Sequence, residues 1–71
     1  MKNKKYEINL FENLIHIKYY YKIDDINNKC ILISFCDKKI IICGENLIIN
    51  KLDEYEICII GKYKVIELLY E

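Results

Sequence analysis

Residues Ile40–Ile49 read IIICGENLII, an apolar run opened in its middle by Gly44, Glu45 and Asn46. A membrane helix needs about 18 or more consecutive apolar residues, and this run is interrupted by a carboxylate well short of that. Isoleucine, which dominates the run, is stiff at χ1 and favours the pleated state. The stretch therefore reads as two strands, IIIC and LIIN, joined by a bend or hairpin at Gly-Glu-Asn. Gly44 takes a positive φ without steric penalty, and Asn46 is among the few other residues that tolerate one.

The same arrangement returns downstream in EICIIGKYKVIEL, where Gly61 follows Ile57 and Ile59 as Gly44 follows Ile40 and Ile42, an offset of 61 − 44 = 17 residues. Two copies of Ile-x-Ile-x-Gly fall short of the three or more repeats that a stacked solenoid needs.

Alternation continues upstream. Ile15, Ile17, Tyr19, Tyr21 and Ile23 fall on one face of an extended chain, and His16, Lys18, Tyr20 and Lys22 on the other. This predicts one strand with Tyr19 and Tyr21 turned to the core. The cluster Asp24–Asn28 supplies turn formers, and KCILISFC then predicts a strand that is apolar on both faces and so central. The closing YKVIELLY reads as strand, while YEINLFENL fits either a strand or a short amphipathic helix.

The expected fold is therefore all-β: a small meandering antiparallel sheet or β-roll of about six to seven short strands, with a short β-solenoid as the alternative. The 71 residues form a single domain, with 1–13 expected as a loosely held N-terminal segment. So small a chain buries a modest fraction of its surface, and help from a protein partner or a second copy is expected.

Composition excludes several function classes. With 54% hydrophobic and 31% charged residues the chain is not disordered. Eleven basic and eleven acidic residues give a net charge of +0, without the basic excess of a strong nucleic-acid or lipid binder. Charge is nonetheless uneven: through Lys22 five lysines face Glu7 and Glu12, a balance of +3, which leaves −3 for the rest.

Cys30, Cys36, Cys43 and Cys58 lack the paired C-x2-C spacing of a zinc site, so no metal is expected. The N-terminal residues show no uninterrupted apolar stretch of a secretory signal, and all four cysteines are expected as reduced, mostly buried thiols. His16 is the sole histidine, and a catalytic role would require a second group within hydrogen-bond reach. Ser34 is the sole serine and has no Gly-x-Ser-x-Gly elbow around it. Asp24 with Asp25, and Asp53 with Glu54 and Glu56, sit where turns demand polar side chains and lack calcium-loop spacing. No enzyme activity and no cofactor are expected.

The segment KYYYK, Lys18 to Lys22, supplies the candidate interaction patch: Lys18, Tyr20 and Lys22 on one outward face. A tyrosine between two lysines suits a protein contact, or alternatively the stacking of single-stranded nucleic acid.

The pattern I-x-I-x-G-x-N-L-x-I over Ile40–Ile49, then the leucine-and-acidic connection Leu52–Glu56, then I-x-I-x-G-K and an apolar close, resembles the YabP/YqfC family of sporulation proteins. The resemblance covers Ile15 to Tyr70. It implies a non-enzymatic protein of the mother cell, cytoplasmic or peripheral to a membrane, acting with membrane proteins of spore formation. It brings no catalytic or ligand residues, and only Gly44 and Gly61 carry over, as structural turn glycines. The chain departs from the family in having no proline, and so no Leu-Pro element, and in placing Tyr63 where an aliphatic residue is usual.

Overall fold

The computed structural model describes residues 6–70. The chain is all-β, with six strands: β1 (Glu7–Phe11), β2 (Leu14–Lys18), β3 (Lys22–Ile26), β4 (Cys30–Ser34), β5 (Lys38–Leu52) and β6 (Glu56–Tyr70). They form one antiparallel sheet in the order β1-β2-β6-β5-β4-β3. The antiparallel ladder excludes the solenoid alternative. Of the N-terminal segment expected to be loosely held, residues 1–5 lie outside the described residues, whereas Glu7–Phe11 pair in full with β2. The ambiguity over YEINLFENL is thus resolved as strand.

IIIC and LIIN are not two strands. They are the two arms of β5, which runs unbroken for 15 residues beside an equally long β6. Register shifts at Cys43/Gly44, between Glu45 and Ile48, and between Ile49 and Lys51 absorb the bend while the ladder continues. A β-bulge bends a strand and sharpens its twist without ending its pairing, so a glycine in an isoleucine run need not mark a hairpin. Asn46 supplies the positive φ, at 55°. Gly44 is required for a different reason: a Cβ there would lie 2.6 Å from the Tyr63 Cα. Gly61 needs both properties, with φ 147° and a Cβ position 2.8 Å from the Asn46 carbonyl oxygen.

Each long strand serves two neighbours. The first arm of β5 pairs with β4 through residues 39–43, and the first arm of β6 pairs with β2 through 56–60. The sheet consequently has two halves, β3-β4 on one side and β1-β2 on the other. The short link between β2 and β3 shows how they lie. Lys18 and Lys22 are four residues apart and can be separated by about 14 Å at most. Four strand spacings in a flat sheet would separate β2 from β3 by about 19 Å. The sheet must therefore coil, and it does so around one core.

Ile15, Ile17, Ile31, Ile33, Ile40, Ile42, Ile57 and Ile59 are all 0–1% exposed and, with Phe35 and Leu47, form a single cluster drawn from both halves. A flat one-sided sheet would leave that face in water; coiling removes it, at about 1.5–3 kcal/mol for each fully buried side chain.

Candidate functional site

The strand predicted to run from Ile15 to Ile23 breaks where the chain crosses between halves. β2 ends at Lys18, residues 19–21 form the link, and β3 begins at Lys22. Two backbone bonds pin the link: Tyr19 N–H donates to the Tyr55 carbonyl at 2.7 Å, and Tyr21 N–H to the Ser34 carbonyl at 2.7 Å. Tyr19 takes φ 65°. That is a costly conformation for a bulky side chain.

The consequence reverses the expected facing. Tyr19 and Tyr21 are 42% and 74% exposed and do not enter the core, whereas Tyr20 is half-buried against it. Lys18, Tyr20 and Lys22 therefore do not share a strand face. Alternation carried the prediction through the link because a left-handed residue leaves no mark on a period-two pattern.

Tyr20 turns its hydroxyl to the Asp53 carbonyl oxygen at 2.8 Å. Burial first, and the Asp53 charge second, hold its phenol above the ordinary tyrosine range, which keeps it a donor. Tyr19 meets Tyr55 ring to ring, with centroids 5.6 Å apart and planes tilted by 55°. Tyr19, Tyr20, Glu54 and Tyr55 line a shallow recess of about 430 Å³. Sequence reading missed Tyr55, which sits in the β5–β6 turn that Asp53 closes through its bond to the Glu56 carbonyl. No period links that turn to the KYYYK segment. The available signal was the tyrosine within NKLDEYE, read only as a connection.

The other singled-out residues take structural partnerships. His16 does meet an acidic group: its Nε2 bonds the Glu56 carboxylate on the outward face of β2 and β6, where Lys51 Nζ also approaches Glu56 at 3.5 Å. The His16 bond foremost, then Lys51, holds the Glu56 carboxyl below its ordinary range, against an opposing push from desolvation. Cys58 stands directly opposite His16 in the ladder, but among the described residues no hydrogen bond joins imidazole and thiol. Ser34 donates to Asp24, and that bond, helped by Lys22 and Lys39, lowers the Asp24 carboxyl. Asp24, Asp25 and Ile26 belong to β3, so the reversal expected over Asp24–Asn28 begins only at Asn27, whose side chain accepts from the Lys29 and Cys30 amides at 2.8 Å. Among the described residues no three His, Cys, Asp or Glu side chains are placed to hold a metal ion.

The cysteines correct a second expectation. Cys30 and Cys43 are direct partners across β4 and β5, with Cα atoms 4.2 Å apart, and they form a disulfide. Their separation of 13 residues does not reveal that pairing; the strand register does. Cys36 and Cys58 are free.

A third feature lies on the outward face of the β1-β2 half. Phe11 pairs with Leu14, Leu14 with Ile60, and Ile60 with Ile48, which lines up four apolar side chains across four strands. Directly paired residues share a face, and this face is opposite to that of buried Ile15 and Ile59. Phe11, Ile60 and Ile48 are 54%, 39% and 61% exposed.

The arrangement defines a coiled antiparallel β module with an aromatic corner and an outward apolar row. Comparison with family models, curated proteins and solved structures gave no match. No helix among the described residues is long and apolar enough to cross a membrane.

Proposed function

We propose that this chain is a non-enzymatic interaction module that presses the Phe11–Leu14–Ile60–Ile48 row against a protein partner. The row carries the reading because scattered exposed apolar residues are ordinary, whereas a contiguous apolar row in register across four strands is a feature of contact surfaces. Under this reading the module acts in the mother cell during spore formation, in the cytoplasm or against a membrane face. Its partners are membrane proteins of that pathway or a second copy of itself. The Ile-x-Ile-x-Gly recurrence around Gly44 and Gly61 supports the family part of the reading.

Sedimentation of the chain from micromolar to millimolar concentration, alone and with candidate membrane partners, tests it. Association that Ile48→Lys and Ile60→Lys abolish is the expected result. A strict monomer that binds no partner, together with unimpaired sporulation on deletion, overturns it.

A second reading has one observation in its favour. Tyr19 and Tyr21 project outward between Lys18 and Lys22, as a single-stranded nucleic-acid platform would require. Against it, Lys22 Nζ lies 3.7 Å from Asp24 and the recess carries the Glu54 carboxylate. Binding of a labelled single strand that weakens steeply with salt would establish this reading, and no such binding would exclude it.

A further inference from the structure

One end of the coiled sheet shows what this chain does with an ammonium group. Lys38, buried at the start of β5, places its Nζ 4.1 Å from the Tyr6 ring centroid and 5.6 Å from that of Tyr70, with the Asp37 carboxylate at 2.7 Å. Two aromatic faces and one carboxylate satisfy the charge. An aromatic face attracts a cation through the ring quadrupole, and a nearby carboxylate adds direct attraction.

Among the described residues, the corner recess holds the same chemical inventory without an internal cation. Tyr19, Tyr20 and Tyr55 provide the aromatic wall and Glu54 the carboxylate. Among the described residues Glu54 has no ion pair: Lys51 is taken by Asp53 and Glu56, and Lys22 by Asp24. The wall is held in place. The Tyr20 hydroxyl is bonded to the Asp53 carbonyl, Tyr19 is fixed through its amide to Tyr55, and the two rings brace each other. Tyr19 takes φ 65° where the chain crosses from β2 to β3, and this leaves its side chain 42% exposed beside Tyr55.

We propose that the recess formed by Tyr19, Tyr20, Tyr55 and Glu54 binds a small quaternary ammonium group. The choice of a methylated cation follows from the setting. The recess is shallow and open to solvent, so a primary ammonium would keep its hydration shell and gain little. A trimethylammonium group is weakly hydrated, spreads its charge over methyl surfaces that rest on ring faces, and needs no hydrogen-bond acceptor. Lys38 can be a primary ammonium because it is buried and has Asp37 as its acceptor. The inference does not depend on the apolar row, which lies on a different face.

The test is a titration of the full chain, followed by amide chemical shifts, with three probes that share a 2-hydroxyethyl unit. Choline carries the methylated charge, ethanolamine the unmethylated charge, and 3,3-dimethylbutan-1-ol the methyl shell without charge. Choline is expected to bind at millimolar concentration and at least about fivefold more tightly than either control, the factor that one ring–cation contact supplies. Shifts should centre on residues 19–20 and 54–55. Tyr55→Leu and Glu54→Gln should each weaken choline about fivefold or more while leaving the remaining amide spectrum in place. Glu54→Gln removes an exposed, unpaired charge, so it guards against a merely unfolded variant. Co-sedimentation with phosphatidylcholine vesicles would assign the cation to a lipid headgroup. Choline binding without co-sedimentation would assign it to a soluble ligand; either supports the site. Equal binding of the neutral isostere or of ethanolamine, shifts elsewhere, or no choline binding overturns it.

Discussion

Gly44 and Gly61 stand against each other's strands at the same bend: a Cβ on Gly44 would strike the β6 backbone at Lys62 and Tyr63, and one on Gly61 the β5 backbone at Asn46 and Leu47. The two arms of the coiled sheet approach this closely because neither glycine carries a side chain. Gly44→Ala should cost about 2–3 kcal/mol, since the obstruction is backbone that cannot rotate away. Gly61→Ala should cost at least as much, because its φ of 147° adds conformational strain to the clash. Asn46→Gly, at φ 55° on an exposed position, should change stability by no more than about 0.5 kcal/mol. Urea denaturation of the three variants checks the order.

The acid side of the stability profile should depend on three carboxylates: Asp24, Glu56 and Asp37, the last lowered chiefly by the hydrogen bond it accepts from Lys38. Asp24 and Glu56 both have folded-state pKa values below their ordinary 3.8 and 4.5. A lowered carboxyl contributes stability that is fully present above its unfolded pKa and is lost as pH falls through the folded one. The protein should therefore hold its stability from neutral pH to about pH 5 and lose it progressively below pH 4. Glu56→Gln should flatten that decline, and so should Ser34→Ala, which removes the largest cause of the Asp24 shift. Denaturation midpoints from pH 7 to pH 2.5 read both.

Thiol counting tests the cysteine assignment. The folded, unreduced protein should expose one fast-reacting thiol, Cys36, and one slower one, the half-buried Cys58. Reduction should raise the count to four and, by opening the ring closed across the 13-residue separation of Cys30 and Cys43, lower stability by about 2–3 kcal/mol. Four thiols before any reductant is added would refute the pairing.

Much of the architecture was legible because burial on one face of a sheet imprints a period of two. Alternation places Ile15, Ile17, Ile31 and Ile33 on strands, the Ile-x-Ile-x-Gly recurrence adds Ile57 and Ile59, and all six are core. Gly44 and Gly61 were also recognisable as pivots. What they pivot was not, since the choice between a hairpin and a bulged continuous strand rests on pairing with a distant segment. The same limit hid the Cys30–Cys43 disulfide and brought Tyr55 to Tyr19 unannounced. Both depend on which strands are neighbours, a property of the whole coil that no local window carries. At Tyr19 and Tyr21 the pattern misled outright, because it runs on past a residue whose backbone has left the strand.

That residue offers the sharpest test of the crossover geometry. In an ordinary extended strand, replacing a side chain by glycine is worse than replacing it by alanine by about 0.5–1 kcal/mol, because glycine has more freedom to lose on folding. At Tyr19 the order should invert. Both Tyr19→Ala and Tyr19→Gly forfeit the contact with Tyr55, so that loss cancels between them. What remains is the φ of 65°, which alanine adopts at a penalty of about 1–2 kcal/mol and glycine without one. Tyr19→Gly should therefore be the more stable of the two by about 1 kcal/mol. Equilibrium unfolding of the pair decides it: alanine more stable than glycine would mean that the chain passes from β2 to β3 through ordinary extended backbone, and the recess would lose the strained residue that holds its wall.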